Sequence, residues 1–457
     1  MHQVYIRTYG CQMNERDSDQ VAQMFLDRGG YALTGDEAEA DVILINTCSV
    51  RDQAEQKALG KMKQVGPLRH TKPHVVYGFL GCMAQSRGEE LLQTIPHLDL
   101  VAGTQKYHRV VDYVHQILSK RLERRMDDER FSIVDVAEEA DSQNTIRDQT
   151  VSPSQATAFV SIMQGCNMKC TFCIVPYTRG RERGTSPREV LRQAHELAEM
   201  GFKELTLLGQ TVNSYRYEEV DFADLLRTVA QVPGIERIRF TSPYPIDFSD
   251  KLIATIAELP NVPDAVHLPL QSGSDRILTE MRRGYTLEEF RVLVHKLRAA
   301  MPEVSISTDI IVGFPDETEE DFRATCAALE EFAFDSAFMF AYSEREGTYA
   351  SKKIPDSISE ATKKQRLIEI IAMQERISGE RFARQRGRTV EVLVDGPSRR
   401  APDQYFGRAR DFKATLFSSP HELKQGTIVQ VLVHNTSSHS LFGTLVVDAP
   451  AETVACP

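Results

Sequence analysis

The sequence predicts an α/β chain in three units: an N-terminal α/β domain over 1–120, a partial (β/α) barrel of six strand-helix repeats over 158–385, and a small all-β barrel over 386–450. Three observations carry that division. Short β-branched runs alternate with helical stretches in two separate series, a charged stretch with little to bury (121–157) lies between them, and after a long charged helix the pattern changes to short alternating strands. At 457 residues the chain also exceeds what one hydrophobic core organises.

In the first unit, 4–8, 42–46, 75–79 and 98–102 read as strands, and 18–28, 52–64, 87–94 and 107–120 as helices, an alternation that builds a parallel sheet. In the second, strands fall at 158–162, 204–208, 237–241, 265–269, 304–312 and 338–342, with helices such as 187–200 and 287–299 between them. Six units are fewer than the eight of a closed barrel, so an open barrel is expected, with its working loops at the carboxyl ends of the strands. A charged helix over 359–385 leads to strands at 389–394, 405–410, 414–417, 428–433 and 441–447, enough for a small barrel.

A formal charge of -11 argues against bulk adhesion to a polyanion while leaving room for a local basic surface. No apolar run is long enough to span a bilayer and the N-terminus carries no secretory pattern, so no membrane association and a cytoplasmic location are expected. Eight cysteines are too few for a disulfide scaffold in a chain of this length. Cys326 sits in a helical apolar pattern and reads as a buried structural thiol.

Three of the cysteines, Cys166, Cys170 and Cys173, stand in Gln-Gly-Cys-Asn-Met-Lys-Cys-Thr-Phe-Cys after the first barrel strand. That spacing can put three soft thiolates around one iron cluster with a position left open; a zinc site would need a fourth ligand, and no fourth Cys or His stands nearby. Cys11, Cys48 and Cys82 each follow a strand of the first unit. Strands of one parallel sheet end on a common edge, so these three could share a second site.

The Cys166–Cys173 triplet, with Phe172 in the aromatic place of the signature, resembles the radical S-adenosylmethionine enzymes. Tyr-Gly-Cys-Gln-Met-Asn, Ile-Asn-Thr-Cys-Ser-Val-Arg and Gly-Cys-Met-Ala-Gln resemble the motifs of the methylthiotransferases, and Cys-Ile-Val-Pro-Tyr-Thr-Arg-Gly-Arg-Glu-Arg the tRNA-modifying form. The resemblance covers the whole chain and implies an N-terminal methylthiotransferase domain, a radical core and a C-terminal TRAM-type barrel that binds RNA. It implies two 4Fe-4S clusters, one on Cys166, Cys170 and Cys173 and one on Cys11, Cys48 and Cys82, and two molecules of S-adenosylmethionine, one as methyl donor and one as radical source. The reaction it implies is methylthiolation of C2 of N6-dimethylallyladenosine at position 37 of tRNA. Partners implied are a tRNA anticodon stem-loop, a low-potential electron donor such as flavodoxin or ferredoxin, and a sulfur donor system, with the enzyme a monomer. Alternatives are a ribosomal protein aspartate or threonylcarbamoyl-adenosine as the target, or an RNA-binding iron-sulfur protein without turnover. The family commonly continues Arg-Glu-Arg with Ser-Arg where Gly184 and Thr185 stand here, and often has His in place of Tyr244.

Around the cofactor, Gly209, Gln210 and Asn213 follow the second barrel strand, Ser242 the third and Gln271 the fourth, all where polar groups can reach a ligand. A helix cap is the other reading of Asn213. Asp309 is an ionisable residue within a core strand, expected to hold substrate or cofactor or else to pair with Arg or backbone, and Gly313 shapes a loop expected to meet adenine. Arg179, Arg181 and Arg183, flanked by Lys169 and Arg188, form a basic strip suited to phosphate. In the terminal barrel Arg408, Arg410 and Lys413 interleave with Tyr405, Phe406 and Phe412 as an RNA surface does, and Phe406 is the aromatic expected to turn inward first.

Overall fold

The computed structural model describes residues 1–50, 52–123, 131–139, 156–399, 401 and 403–446. Strands β1 (His2–Tyr9), β2 (Tyr31–Leu33), β3 (Val42–Thr47), β4 (Val76–Gly81), β5 (Leu100–Ala102) and β6 (Ile133–Asp135) form one parallel sheet in the order β2-β1-β3-β4-β5-β6. β3 and β4 are buried along their whole length, as continuous apolar runs covered by helices on both faces require. The two edge strands, β2 and β6, are three residues long and only partly buried, without the apolar run that marks the equally short β5. β6 falls in the stretch read as a charged connector, of which residues 124–130 and 140–155 lie outside the described ones.

The second unit begins with β7 (Thr157–Ser161) and a short antiparallel pair, β8 (Met163–Gln164) with β9 (Arg183–Gly184). β10 (Glu204–Leu208) follows, then a hairpin of β11 (Arg216–Tyr217) and β12 (Val220–Asp221), then β13 (Arg237–Phe240), β14 (Ala265–His267), β15 (Ser305–Val312) and β16 (Ser336–Ala341). The six expected barrel strands are present as two parallel three-stranded sheets, β13-β10-β7 and β14-β15-β16. One apolar core joins them: Leu205, Leu207 and Ile238 pack with Val266, Ile306 and Ile310 beneath the surrounding helices, and Cys326 is buried in it as a structural thiol.

The helix Glu360–Ala383 packs on β16, adds Ile370 and Ile377 to the core, and buries polar side chains that find partners in the neighbouring loops. Arg366 Nη1 lies 2.8 Å from Glu317 Oε2, and Gln374 Nε2 donates to the Phe334 carbonyl at 2.8 Å. A charged pattern is therefore compatible with a buried face.

Strands β17 (Thr389–Pro397), β18 (Gln404–Ala409), β19 (Ala414–Ser418), β20 (Ile428–Thr436) and β21 (Ser440–Leu445) close into a barrel in the order β17-β18-β19-β21-β20. Its interior holds Val392, Val394, Phe417 and Val431. Phe406 does not turn inward as expected. Tyr405 pairs with Phe417 across the strands and packs inside, so the two-residue period carries Phe406 to the partly exposed outer face.

The barrel is fastened to the core by a fully buried guanidinium. Arg237 donates to Glu391 Oε1 at 2.7 and 2.9 Å, to the Glu391 carbonyl at 3.0 Å and to the Arg408 carbonyl at 3.1 Å. Arg239 donates to the Ala409 carbonyl at 3.1 Å and stacks on Phe412 at 4.8 Å. No helix among the described residues is long and apolar enough to cross a membrane.

Candidate active site

The N-terminal cysteines occupy the carboxyl ends of three neighbouring strands. Cys11 lies just after β1 and precedes the helix Gln12–Arg28, Cys48 follows β3 directly, and Cys82 follows β4 and opens the helix Cys82–Arg87. The turn is tight: a Cβ on Gly10 would stand 2.6 Å from Cys48 Cβ, and one on Gly81, at φ +90°, 2.2 Å from Asn46 Oδ1. Beneath the thiols, Asn14 Nδ2 donates to Asn46 Oδ1 and Asn46 Nδ2 returns to the Asn14 carbonyl, both at 2.9 Å. These amides lock the first and third strand ends together.

The three thiols are coupled through Cys48. Hydrogen bonding to Cys48 brings Cys11 down to about 7 and Cys82 down to about 6, in each case against the desolvation of a thiol packed on its neighbours and with help from the Arg179 charge, although residue Cys11 itself reaches the surface; Cys48 is pushed well up by sharing its proton with both. Arg179, expected on the RNA-facing strip, is instead buried at 3% exposure, 2.8 Å from Asp17 Oδ2. The reason lies in the helix Val175–Arg179, which follows Cys173 and packs on the helix Cys82–Arg87, so its last residue enters the first domain.

The barrel cysteines sit in a loop bracketed by β8 and β9. Gly165, at φ +83°, donates its N–H to Gln210 Oε1, and Cys166 N–H donates to the Gly180 carbonyl at 3.1 Å. Glu182 accepts from Asn167 N–H at 3.2 Å and from Thr211 Oγ1 at 2.8 Å, closing the loop on itself. Phe172 packs against the small apolar cluster of Ile277, Met281, Phe314, Tyr342 and Ala350, anchoring the loop to the other half of the barrel. Burial pushes Cys166 up to about 11 and Cys173 up to about 12. Gly209 admits no side chain, since a Cβ would lie 2.6 Å from Met163 Cγ.

Sequence reading missed one buried cation here. Arg283 donates to Cys170 Sγ at 3.2 Å and to Tyr285 Oη at 3.1 Å, and stacks on Tyr244 at 4.5 Å. Burial opposes its charge, yet Tyr285 and Cys170 outweigh that and raise its pKa. Each set of three cysteines thus has one buried arginine beside it, Arg179 in the first domain and Arg283 in the barrel. The only sequence sign of Arg283 was a cation next to Gly284 and Tyr285 after a short helix.

Asn213 is not a helix cap. Its amide donates to the Tyr244 carbonyl at 2.8 Å and accepts from Tyr244 N–H at 2.7 Å. Ser242 and Gln271 both adopt left-handed backbone, at φ +56° and +73°. Ser242 is exposed and Gln271 buried, with its N–H donating to the Asp309 carbonyl at 2.8 Å. Gly313, at φ +69°, donates to Glu317 Oε2 at 2.6 Å and meets Lys363 so closely that a Cβ would stand 2.5 Å from Lys363 Cγ.

Asp309 is half-buried and, among the described residues, pairs with neither Arg nor backbone through its side chain; its Oδ2 lies 3.1 Å from His267 Nε2, whose Nδ1 is 2.9 Å from Ser307 Oγ. Register places Asp309 beside Phe338 and Ile311 beside Phe340, so these side chains share one face of the β14-β15-β16 sheet. Phe338 is 53% exposed and Phe340 37% exposed, and the His267 ring meets Phe338 edge-on at 5.9 Å. An uncovered aromatic face beside a His–Asp pair suits a flat, partly apolar ligand.

Among the expected RNA contacts, Arg181 is exposed, and Arg183 is half-buried with Nη2 donating to the Arg179 carbonyl at 3.2 Å. Lys413 is a correction: it is buried, 3.1 Å from Asp335 Oδ1 and 2.5 Å from Asp411 Oδ2. Arg410 donates to the Val262 carbonyl at 3.2 Å, and Arg408 stacks on Phe412 at 4.8 Å. The loop after β18 therefore turns Arg410 and Lys413 toward the core, where they dock the barrel, while the Arg408 side chain and Phe412 stay exposed.

The donor sets fit iron-sulfur clusters: three soft thiols at each of two places, with an arginine beside each set. Among the described residues no three His, Cys, Asp or Glu side chains are grouped to hold a single metal ion.

Three family models match the chain: Radical SAM superfamily over 160–329, Uncharacterized protein family UPF0004 over 3–103, and TRAM domain over 383–446. Among solved structures, the radical S-adenosylmethionine methyltransferase TsrM from Kitasatospora setae is similar at TM-score 0.54 and 13% identity, covering 74% of this chain and 73% of that one, a likeness of fold. A tRNA-2-methylthio-N(6)-dimethylallyladenosine synthase of Akkermansia muciniphila is 49% identical, covering 97% of this chain and 98% of its own. That of Methylacidiphilum infernorum is 43% identical over 97% and 95%. With that identity along almost its entire length, the chain belongs to the radical S-adenosylmethionine tRNA methylthiotransferases, in the family of the tRNA-2-methylthio-N(6)-dimethylallyladenosine synthases.

Proposed function

We propose that the chain presents N6-dimethylallyladenosine of a tRNA anticodon loop to two 4Fe-4S clusters and methylthiolates it at C2, using S-adenosylmethionine as methyl donor and as radical source. The observation that carries this reading is the joining of two three-cysteine sites through the helix Val175–Arg179, in a chain whose relatives are the tRNA enzymes. Cys166, Cys170 and Cys173 would hold one cluster and Cys11, Cys48 and Cys82 the other. When bound, the first supplies the electron that cleaves S-adenosylmethionine to a 5'-deoxyadenosyl radical, and the second holds the sulfur to be transferred.

The protein's own part is positioning. Gln210 and Glu182 fix the barrel loop, Asn213 holds Tyr244 under Arg283, and Arg283 donates to Cys170. Phe338 and Phe340 receive the base and its dimethylallyl arm, with the His267–Asp309 pair as the polar edge. Gly209, Ser242, Gln271 and Gly313, at the strand ends above, line the path to S-adenosylmethionine. Arg181 and Arg183 contact phosphate, and the TRAM barrel binds RNA; units at 1–120, 158–385 and 386–450 belong to this reading, as do a cytoplasmic monomer, a flavodoxin- or ferredoxin-type reductant and a sulfur donor.

The test is anaerobic turnover of the reconstituted protein with reductant, S-adenosylmethionine and dimethylallylated tRNA, scored by nucleoside mass. A gain of one methylthio group on the adenosine is expected. Modification confined to a ribosomal protein offered alongside would overturn the assignment.

A further inference from the structure

The guanidinium of Arg179 is contributed to the N-terminal site by the other domain. It is carried six residues beyond Cys173, and the Thr178 carbonyl next to it accepts from Thr104 Oγ1 at 2.5 Å, so the graft is anchored on both sides of the domain boundary. Its counter-ion, Asp17, is fully buried and is shared: Arg16 Nη1 lies 3.8 Å from Asp17 Oδ1, and Arg179 Nη2 2.8 Å from Oδ2.

The pairing with Asp17 is ionic only. Among the described residues neither Nη1 nor Nη2 of Arg179 has an acceptor in well-aligned hydrogen-bonding geometry, and an acceptor offered to it is the Cys82 thiol, whose pKa Cys48 and then the guanidinium lower. Buried charged donors without acceptors are costly and rare, and the planar fork of arginine suits a polarisable anion presented at its edge. The groups near this fork are Cys82, Cys11 and Tyr107, and Cys11 is exposed, so the place is reached from solvent.

We propose that Arg179 is an anion-binding group of the N-terminal cysteine site, donating its two free N–H edges to a small anionic sulfur ligand, hydrosulfide or methanethiolate, held beside Cys82 and Cys11. This rests on the reading that Cys11, Cys48 and Cys82 carry a cluster. It makes the sulfur site complete only when the barrel's cysteine loop is docked, because the fork comes from that loop.

The test titrates methanethiolate and, separately, hydrosulfide into the full chain reconstituted with both clusters, following the electron paramagnetic resonance signal of the N-terminal cluster. Removing two charge-assisted donors in Arg179→Gln is expected to weaken binding on the order of tenfold or more. Arg179→Lys, which keeps the charge and loses the fork, is expected to fall between. Loss for hydrosulfide alone identifies the bare sulfide as ligand, and loss for methanethiolate alone the methylated one. Unchanged affinity of Arg179→Gln for both overturns the proposal; if that variant takes up iron only at the barrel cysteines, unchanged affinity of loaded Arg179→Lys does so. A wild-type protein that holds one cluster when fully loaded fails the underlying reading instead, and iron content separates the two failures.

Discussion

Replacing Asn213 by alanine tests whether this residue serves the site through Tyr244. The change deletes two hydrogen bonds, at 2.8 and 2.7 Å, and leaves the buried Tyr244 N–H without a partner, while the Tyr244 carbonyl keeps the Asp247 N–H at 3.1 Å. One unpaired buried group costs about 1–3 kcal/mol, which puts the loss at about 2 kcal/mol. For a unit of this size that corresponds to a fall in Tm of about 4–8 °C. The consequence reaches the barrel cysteines, because Tyr244 stacks on Arg283 and Arg283 donates to Cys170 Sγ. Thermal melting of the metal-free protein measures the first effect, and 5'-deoxyadenosine yield of the loaded protein the second. Expected are a lowered Tm and a lowered yield. A variant that melts with the wild type but binds S-adenosylmethionine poorly would refute the staple and restore Asn213 as a direct cofactor ligand.

Cys170→Ala should lose the barrel cluster and all 5'-deoxyadenosine, while Cys48→Ala should keep some cofactor cleavage and lose methylthio transfer; full methylthiolation by Cys48→Ala would refute the role of the first domain. Alkylation of Cys11 in iron-free protein should rise with pH and level off near 7 instead of climbing toward the ordinary 9.0, because a lowered thiol pKa means the reactive thiolate is already formed above it; pH-resolved mass spectrometry reads this. Phe338→Ala should raise the KM for dimethylallylated tRNA by about tenfold or more through lost stacking, with iron content unaltered. Arg237→Met should cost about 1–3 kcal/mol by removing the buried donors to the Glu391 and Arg408 carbonyls, the part-exposed Glu391 carboxylate being left to water, and limited proteolysis should then release the terminal barrel.

Much of the site was visible in the sequence because its signals are local. Cys166, Cys170 and Cys173 lie within eight residues, and Cys11, Cys48 and Cys82 each stand one or two residues beyond a strand whose apolar run marks it. Parallel pairing then does the rest, since adjacent strands must end on one edge. The two short edge strands, β2 and β6, escaped because they are only partly buried and lack the apolar run that marks the equally short β5.

The order of strands and helices, the two cysteine sets and the family they mark all followed from residues close together in the chain, where spacing and periodicity act directly. Which cations face solvent did not. Arg179 and Lys413 read as surface charges and are buried in ion pairs, and Arg283 read as nothing in particular and sits on Cys170, 113 residues away. Arg237 meets Glu391 across 154 residues, and Asn213 meets Tyr244 across 31. A polar side chain's burial and partner are settled by what the packed elements bring against it, and that is decided only when helices and sheets from distant parts of the chain close over one another.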